Sequence, residues 1–398
     1  MHGTEFRALA TMRAARAADT GGNGGNDASR FQRTVPGDGG GAVWPGDARV
    51  ESLVQPSGSP GGTAGAVYGG RQRASGGRGA DGGPIGTDGG GVSRGGPRFD
   101  QPVHPGGYAW WYVDALSDDG QHGITLIAFI GSVFSPYYAW ARRRGPGDPF
   151  RHVALNVALY GERRGWALTE RGEGALDRGP EFLSIGPSAL TWDGNALTIR
   201  INEITMPIPS RIRGVVRIHP SALEQQVRFL DEAGRHRWSP IAPCARAEIA
   251  LEQPALRWAG AAYFDTNDGD APLEADFANW TWSRSTTRAG TDILYDVTRR
   301  DRSALSIALR YAHEGGAADF LPTDIVRLPN TRWGITRTTR AGSAPPTVRE
   351  TLEDTPFYAR SVLVDGSDLT MHESLSLDRF RSPWVQAMLP FRMPRALR

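Results

Sequence analysis

Ala189-Leu190-Thr191-Trp192-Asp193-Gly194-Asn195-Ala196-Leu197-Thr198-Ile199-Arg200-Ile201-Asn202-Glu203-Ile204 reads as two strands folded about a turn. Leu197, Ile199 and Ile201 alternate with Thr198, Arg200 and Asn202, the period-two pattern of a half-buried strand. Asp193-Gly194 separates the two runs, and Asp-Gly is a strong hairpin signal. The same grammar extends in both directions. Upstream, Tyr108, Trp110 and Tyr112 alternate with Ala109, Trp111 and Val113, as in a strand buried on both faces. Ile124–Gly131 and His152–Tyr160 follow, with Val153, Leu155, Val157 and Leu159 in register. Downstream come Ile212–His219, Gln226–Leu230 and, after an Ala233-Gly234 turn, the strand bearing His236 and Trp238. Pro240 and Pro243 are expected to break the run before Ala245–Leu251 and Trp258–Phe264. Ala278–Arg284, Ile293–Thr298, Leu305–Tyr311, Arg332–Thr338, Phe357–Val364 and Met371–Leu377 complete the series. Roughly fourteen short strands with Gly, Pro and Asp turns imply an all-β protein. No 3.6-residue periodicity stands out before the C-terminal tail.

The first quarter of the chain is different material. Of 51 glycines, 27 precede Arg98. Residues 1–97 hold few large apolar side chains and are expected to be disordered, because they cannot bury enough surface to offset chain entropy. Order is expected from about Phe99. The remainder is too long for one small barrel and divides into a first β domain, 98–245, and a second, 246–398, joined near Pro240–Pro254. That division puts His236 and Trp238 at the end of one unit and Tyr263 and Asp265 at the start of the next. A ligand site between domains is a common arrangement.

Two short pairs carry the chemistry. His236 with Trp238, and Tyr263 with Asp265, have i, i+2 spacing and share a strand face. Together they would place an imidazole, an indole, a phenol and a carboxyl in one cavity. A carboxyl among apolar rings has a raised pKa and keeps its proton at neutral pH. Aromatic faces stabilise a neighbouring cation. Each pair also has a plainer explanation. Asp265-Thr266-Asn267-Asp268-Gly269-Asp270 has turn composition, and composition alone favours a turn after Phe264. Asp268-Gly269 supplies that turn by itself, which leaves Asp265 continuous with the strand; Asp268 is the rival acid. His236 and Trp238 taken alone read as core residues, as do Trp110, Trp111, Trp280 and Trp282. Twelve Trp and ten Tyr are nonetheless many, and a long aromatic-lined tunnel would account for them.

Other chemistries find little support. The net charge of +2 gives no basis for nucleic-acid binding. All 45 basic residues are Arg. One cysteine, Cys244, excludes an intrachain disulfide, and no His constellation flanks it as a nucleophile. The eight His lack metal-ligand spacing. Asp265–Asp270 resembles half a calcium loop without the closing Glu. The glycine runs lie outside any strand–helix context, and there is no G-x-S-x-G. No run reaches the roughly 18 apolar residues of a membrane span, and no secretory leader is evident. A cytoplasmic location is expected, with peripheral attachment to a membrane as an extension. The tail Ser382–Arg395 mixes large apolar residues with Arg and suits either a membrane surface or packing on the barrel.

Several segments together resemble the acyclic carotenoid 1,2-hydratases, also called hydroxyneurosporene synthases. They are Phe99-Asp100-Gln101-Pro102-Val103-His104-Pro105-Gly106-Gly107-Tyr108-Ala109-Trp110-Trp111-Tyr112-Val113-Asp114-Ala115, Ser117–Gly120, Asn156–Gly161, His236–Pro240, Tyr263–Asp265 and Pro272-Leu273-Glu274. The resemblance spans about residues 98–390. It implies two lipocalin-like β-barrel domains. It also implies addition of water to the terminal C1=C2 bond of acyclic carotenoids such as lycopene and neurosporene, on routes to spheroidene and spirilloxanthin. No cofactor is expected, nor an obligate protein partner; a membrane surface would supply the substrate. The expected catalytic set is Asp265 as acid, with His236, Tyr263 and Trp238. Trp110, Tyr112, Trp280 and Trp282 are expected to bind substrate. Two other classes fit the aromatic content: a non-catalytic carotenoid or isoprenoid carrier, and a glycan-binding β module.

Overall fold

The computed structural model describes residues 92–93 and 96–396, apart from 343 and 367. The expectation of disorder over 1–97 falls almost wholly outside them. The strand β1 (Tyr108–Ser117) begins a long antiparallel sheet and is buried on both faces, as its composition demands. There follow β2 (Gly123–Ile130), β3 (Val153–Tyr160), β4 (Gly165–Leu168), β5 (Leu176–Gly179), β6 (Phe182–Ile185), β7 (Ser188–Trp192), β8 (Leu197–Ile204), β9 (Arg211–Pro220), β10 (His236–Gln253) and β11 (Leu256–Gly269). Their order is β4-β3-β2-β1-β11-β10-β9-β8-β7-β6-β5. The Asp193-Gly194 hairpin is present, with Leu197 opposite Trp192 and Gly194 at φ +95°.

A second sheet holds β12 (Phe277–Thr287), β13 (Gly290–Arg299), β14 (Ala304–Ala312), β15 (Ala317–Asp319), β16 (Thr347–Asp354), β17 (Tyr358–Asp365) and β18 (Asp368–Ser376). Its order is β15-β14-β13-β12-β18-β17-β16. A two-stranded ribbon, Asp324–Leu328 with Arg337–Ala341, lies apart from both.

The expected boundary at 245/246 falls inside a continuous strand. Pro240 and Pro243 do not break β10; the ladder to β11 shifts register between Pro240 and Ala242 and again between Ala242 and Ala245. Bulges are where a residue without an N–H can sit in a sheet. The two sheets part instead between Gly269 and Phe277. His236–Trp238 and Tyr263–Asp265 therefore lie on neighbouring strands of one sheet, with Trp238 opposite Asn267 and Pro240 opposite Asp265. The strand also runs past Phe264 to Gly269, because β1 pairs with it as far as Tyr108.

The large sheet has two kinds of face. Ala109, Trp111 and Val113 join Ile124, Val157, Ile199, Ile249 and Phe264 in one apolar core. The sheet curls around this core, and the Met206 N–H reaches the Trp166 carbonyl at 3.0 Å. Tyr108, Trp110 and Tyr112 point the other way and pack against the second sheet through Trp280, Trp282 and Tyr295. Polar ties cross this junction: Tyr112 Oη donates to Glu373 at 2.8 Å, and Arg284 Nε to Asp114 at 2.7 Å.

Helices are few but not absent. The sequence reading missed α1 (Pro136–Arg142), although Ser135 caps it and Pro136 opens it. Three shorter ones are α2 (Leu273–Asp276), α3 (Leu377–Phe380) and α4 (Pro383–Met388). No helix among the described residues is long and apolar enough to cross a membrane.

Candidate active site

Asp265 projects from β11 into the junction between the sheets and is 4 % exposed. One carboxyl oxygen, Oδ2, accepts two hydrogen bonds. Tyr263 Oη, two residues back on the same face, donates at 2.7 Å. Trp238 Nε1, from the neighbouring β10, donates at 2.7 Å. The other oxygen, Oδ1, is buried without a partner. Asp265 lines a recess of about 40 Å³ together with Trp110, Tyr112, Trp280, Trp282, Tyr295 and Glu373, among others.

Burial pushes the Asp265 carboxyl up to about 8. The Tyr263 and Trp238 hydrogen bonds hold it down from a still higher value, and the charges of Glu373 and Asp114 add to the rise. The acid is therefore mostly protonated at neutral pH. Two donors occupy Oδ2, so the acid proton belongs on Oδ1, the oxygen without a partner. Burial also raises Tyr263 well above its ordinary value, which keeps its phenol a donor.

The rival acid is placed differently. Asp268 lies on the opposite face of β11, and Arg237 Nε donates to it at 2.5 Å. Arg237 also reaches Asp270 at 2.9 Å.

His236 shares a face with Trp238 but makes no hydrogen bond to Asp265. Its Nε2 bonds Asp276 at 2.7 Å and its Nδ1 bonds Tyr108 Oη at 2.9 Å. Burial lowers its pKa, against the pull of Asp276. With Nε2–H donating to Asp276, Nδ1 accepts from the Tyr108 hydroxyl. Tyr108 in turn stacks on Trp110, with ring centroids 4.9 Å apart. His236 thus braces the aromatic wall rather than touching the acid.

Trp110, Tyr112, Trp280 and Trp282 all line the Asp265 recess. A larger cavity of about 220 Å³ adjoins it, sharing Trp110, Tyr112, Trp280 and Glu373. Its walls include Phe129, Phe134 and Trp166, together with Trp333 and the tail residues Met388, Leu389 and Met393. The tail both packs and protrudes. Val385, Leu389 and Met393 are buried, whereas Trp384, Met388 and Phe391 are exposed. Glu170 anchors it: its N–H donates to the Pro394 carbonyl at 2.9 Å, and its side chain pairs with Arg395.

Residues 126–398 match the family model described as carotenoid hydratase CrtC. The chain belongs to that family. An acyclic carotenoid 1,2-hydratase from Thiocapsa roseopersicina is 55% identical over 377 residues, covering 93% of each chain. One from Rubrivivax gelatinosus is 48% identical over 380 residues, again 93% of each. Among solved structures, one from Nitrosomonas europaea described as AttH aligns with a TM-score of 0.47 at 14% identity, over 68% of this chain and 92% of its own. The protein is accordingly an enzyme of the hydro-lyase class, a carotenoid hydratase.

Sequence reasoning missed several residues of this hydratase's cavity. Glu373, Arg360 and Tyr295 come from the second sheet, and Tyr108 and Asp276 brace His236. A signal for Glu373 was present: it sits between Met371 and Leu375 at i±2, an acid on an apolar strand face. Arg360, between Tyr358 and Val362, follows the same rule.

Proposed function

We propose that this hydratase adds water across the terminal C1=C2 bond of acyclic carotenoids such as lycopene and neurosporene, with Asp265 as the acid. The observation that carries this reading is the unpartnered, buried Oδ1 of Asp265 in an aromatic recess. The Asp265 O–H bond breaks as its proton passes to C2. The positive charge forms at C1, the more substituted carbon. Trp110, Trp280 and Trp282 offer π faces to that cation. Water then bonds to C1, and loss of one of its protons gives a tertiary alcohol. Alkene plus water equals alcohol, so no electron acceptor or donor enters the balance. Tyr263 and Trp238 stabilise the carboxylate left behind, because both donate to Oδ2. His236 acts through Tyr108 and Trp110 as a positioning residue.

The two adjoining cavities, one at Asp265 and one reaching the tail residues, suit a polyene entering by its end group, with the remaining chain directed toward the tail. The exposed Trp384, Met388 and Phe391, with Trp333 stacked on Trp384 at 6.3 Å, suit contact with the membrane from which such a substrate comes.

The test is anaerobic incubation of the full chain with lycopene in H₂¹⁸O, with no added cofactor. A product heavier by one labelled water is expected, and Asp265→Asn should not form it. Lycopene retained by the protein but unchanged would replace this reading with that of a carrier.

A further inference from the structure

We propose that Glu373 is the base that takes the proton from the attacking water, so that acid and base enter the cavity from opposite sheets; this rests on the hydration reading above. Glu373 lies on β18, directly opposite Trp282 of β12 and Arg360 of β17. It lines both the recess of Asp265 and the adjoining larger cavity. Asp265 comes from β11 of the other sheet, directly opposite Tyr112 of β1. The phenol of Tyr112 then reaches across to Glu373 at 2.8 Å. One tyrosine therefore lies beside the acid on its own sheet and fastens the carboxylate on the other.

The two carboxyl groups are built alike and charged differently. Each is anchored through a single oxygen. Glu373 Oε1 accepts from Tyr112 Oη at 2.8 Å, from Arg360 Nη2 at 2.6 Å and from Arg360 Nε at 3.1 Å. Among the described residues its Oε2 has no hydrogen-bond partner. Arg360 is 1 % exposed, and its ion pair fits Glu373 as a carboxylate. Asp265 has no cation beside it and only neutral donors. A protonated carboxyl and an ionised one thus share one recess, each with a spare oxygen. The recess volume of about 40 Å³ exceeds the roughly 10–15 Å³ that one water needs. A water held by Glu373 Oε2 would be polarised before the cation forms.

The proton inventory closes. Asp265 gives its proton to C2, the water oxygen bonds to C1, and the departing water proton moves to Glu373 Oε2. The proton then returns from Glu373 to Asp265 through water in the shared recess once the alcohol leaves. Arg360 and Tyr112 are positioning residues for the base.

The test compares wild type, Glu373→Gln and Glu373→Asp in D₂O with lycopene, reading two products: deuterated alcohol and deuterium washed into recovered lycopene. Glu373→Gln should lower hydration by about 10²-fold or more. It should also raise deuterium exchange relative to hydration, because a cation formed without a base to activate water returns to alkene. Glu373→Asp keeps the ion pair with Arg360 but draws the carboxylate back by one methylene. It should show the same change in ratio with a smaller loss of rate, and it decides the matter if Glu373→Gln does not fold. Hydration at the wild-type rate and ratio in a folded variant would overturn the proposal. So would a loss of hydration with an unchanged ratio, which is what damaged packing would give. If wild type itself adds no labelled water to lycopene, it is the hydration reading that fails.

Discussion

Asp265 and Asp268 stand three residues apart on one strand, both buried, and the sheet sends them to opposite faces. Burial raises both carboxyls. The difference lies in their company. Asp268 meets Arg237, whose guanidinium opposes the rise. Asp265 meets a phenol and an indole, which donate hydrogen bonds but carry no charge. Neutral donors orient a carboxyl without stripping it of its proton. A buried acid is thus made by withholding a cation, and a buried carboxylate by supplying one. The junction between the sheets repeats the second arrangement in Asp114 with Arg284 and in Glu373 with Arg360.

The largest break in this comparison is Asp265→Asn. It preserves shape and removes the acid proton, and should lower turnover by about 10³-fold or more, read as the rate of 1-hydroxy product formation. A stable fold is expected, since an amide has no charge to bury. The same residue sets the pH response. The protonated form is the active one, so kcat/KM should fall about tenfold per unit once pH rises beyond about 8. Stability follows the same sign. The folded value lies above the ordinary 3.8, so the contribution of Asp265 is complete below about pH 4 and is lost as pH rises through about 8. Denaturant melts across that range should show a decline in wild type that Asp265→Asn flattens.

Replacing the neutral donors sharpens the comparison further. Tyr263→Phe or Trp238→Phe removes one hydrogen bond to Oδ2. These bonds lower the Asp265 pKa and stabilise the carboxylate formed when the proton leaves. Each substitution should therefore slow turnover by roughly tenfold, about 1.4 kcal/mol of lost charge-assisted hydrogen bonding. The falling limb of the pH profile should move upward at the same time. A slower enzyme with an unmoved limb would mean that these side chains only fill space.

Much of the fold was legible because strand alternation and turn chemistry are local. The Asp193-Gly194 hairpin and the two-sided strand at Tyr108–Val113 needed only a few residues of context. The pair Tyr263–Asp265 was legible for the same reason, since i, i+2 spacing fixes a face. What failed was non-local. Pro240 and Pro243 suggested a break, but the register shifts that admit them depend on the partner strand Leu256–Gly269. The extension of that strand through Asn267 and Gly269 depends likewise on β1, which overrides their turn preference. His236 was expected in the catalytic set, but the partners of its two nitrogens, Tyr108 and Asp276, lie 128 and 40 residues away and could not be read from spacing. Glu373 lies on the far sheet, and no spacing within the sequence ties it to Asp265.

The smallest effect on catalysis is expected from Asp268→Asn. Asp268 is as buried as Asp265 and close to it in sequence, so proximity alone would make it important. Its side chain, however, meets Arg237 on the face turned away from the recess. Turnover should stay within about twofold of wild type, because neither the acid proton nor the aromatic wall changes. Stability should not be spared. The substitution weakens one of the two carboxylate contacts of Arg237 and leaves Asp270 to hold it. A loss of about 1–3 kcal/mol is expected in urea unfolding, the cost of an impaired charge-assisted hydrogen bond at a largely buried site. The opposite result, wild-type stability with lost turnover, would move the acid from Asp265 to Asp268. It would also undo the claim that a guanidinium partner keeps a carboxyl out of acid catalysis.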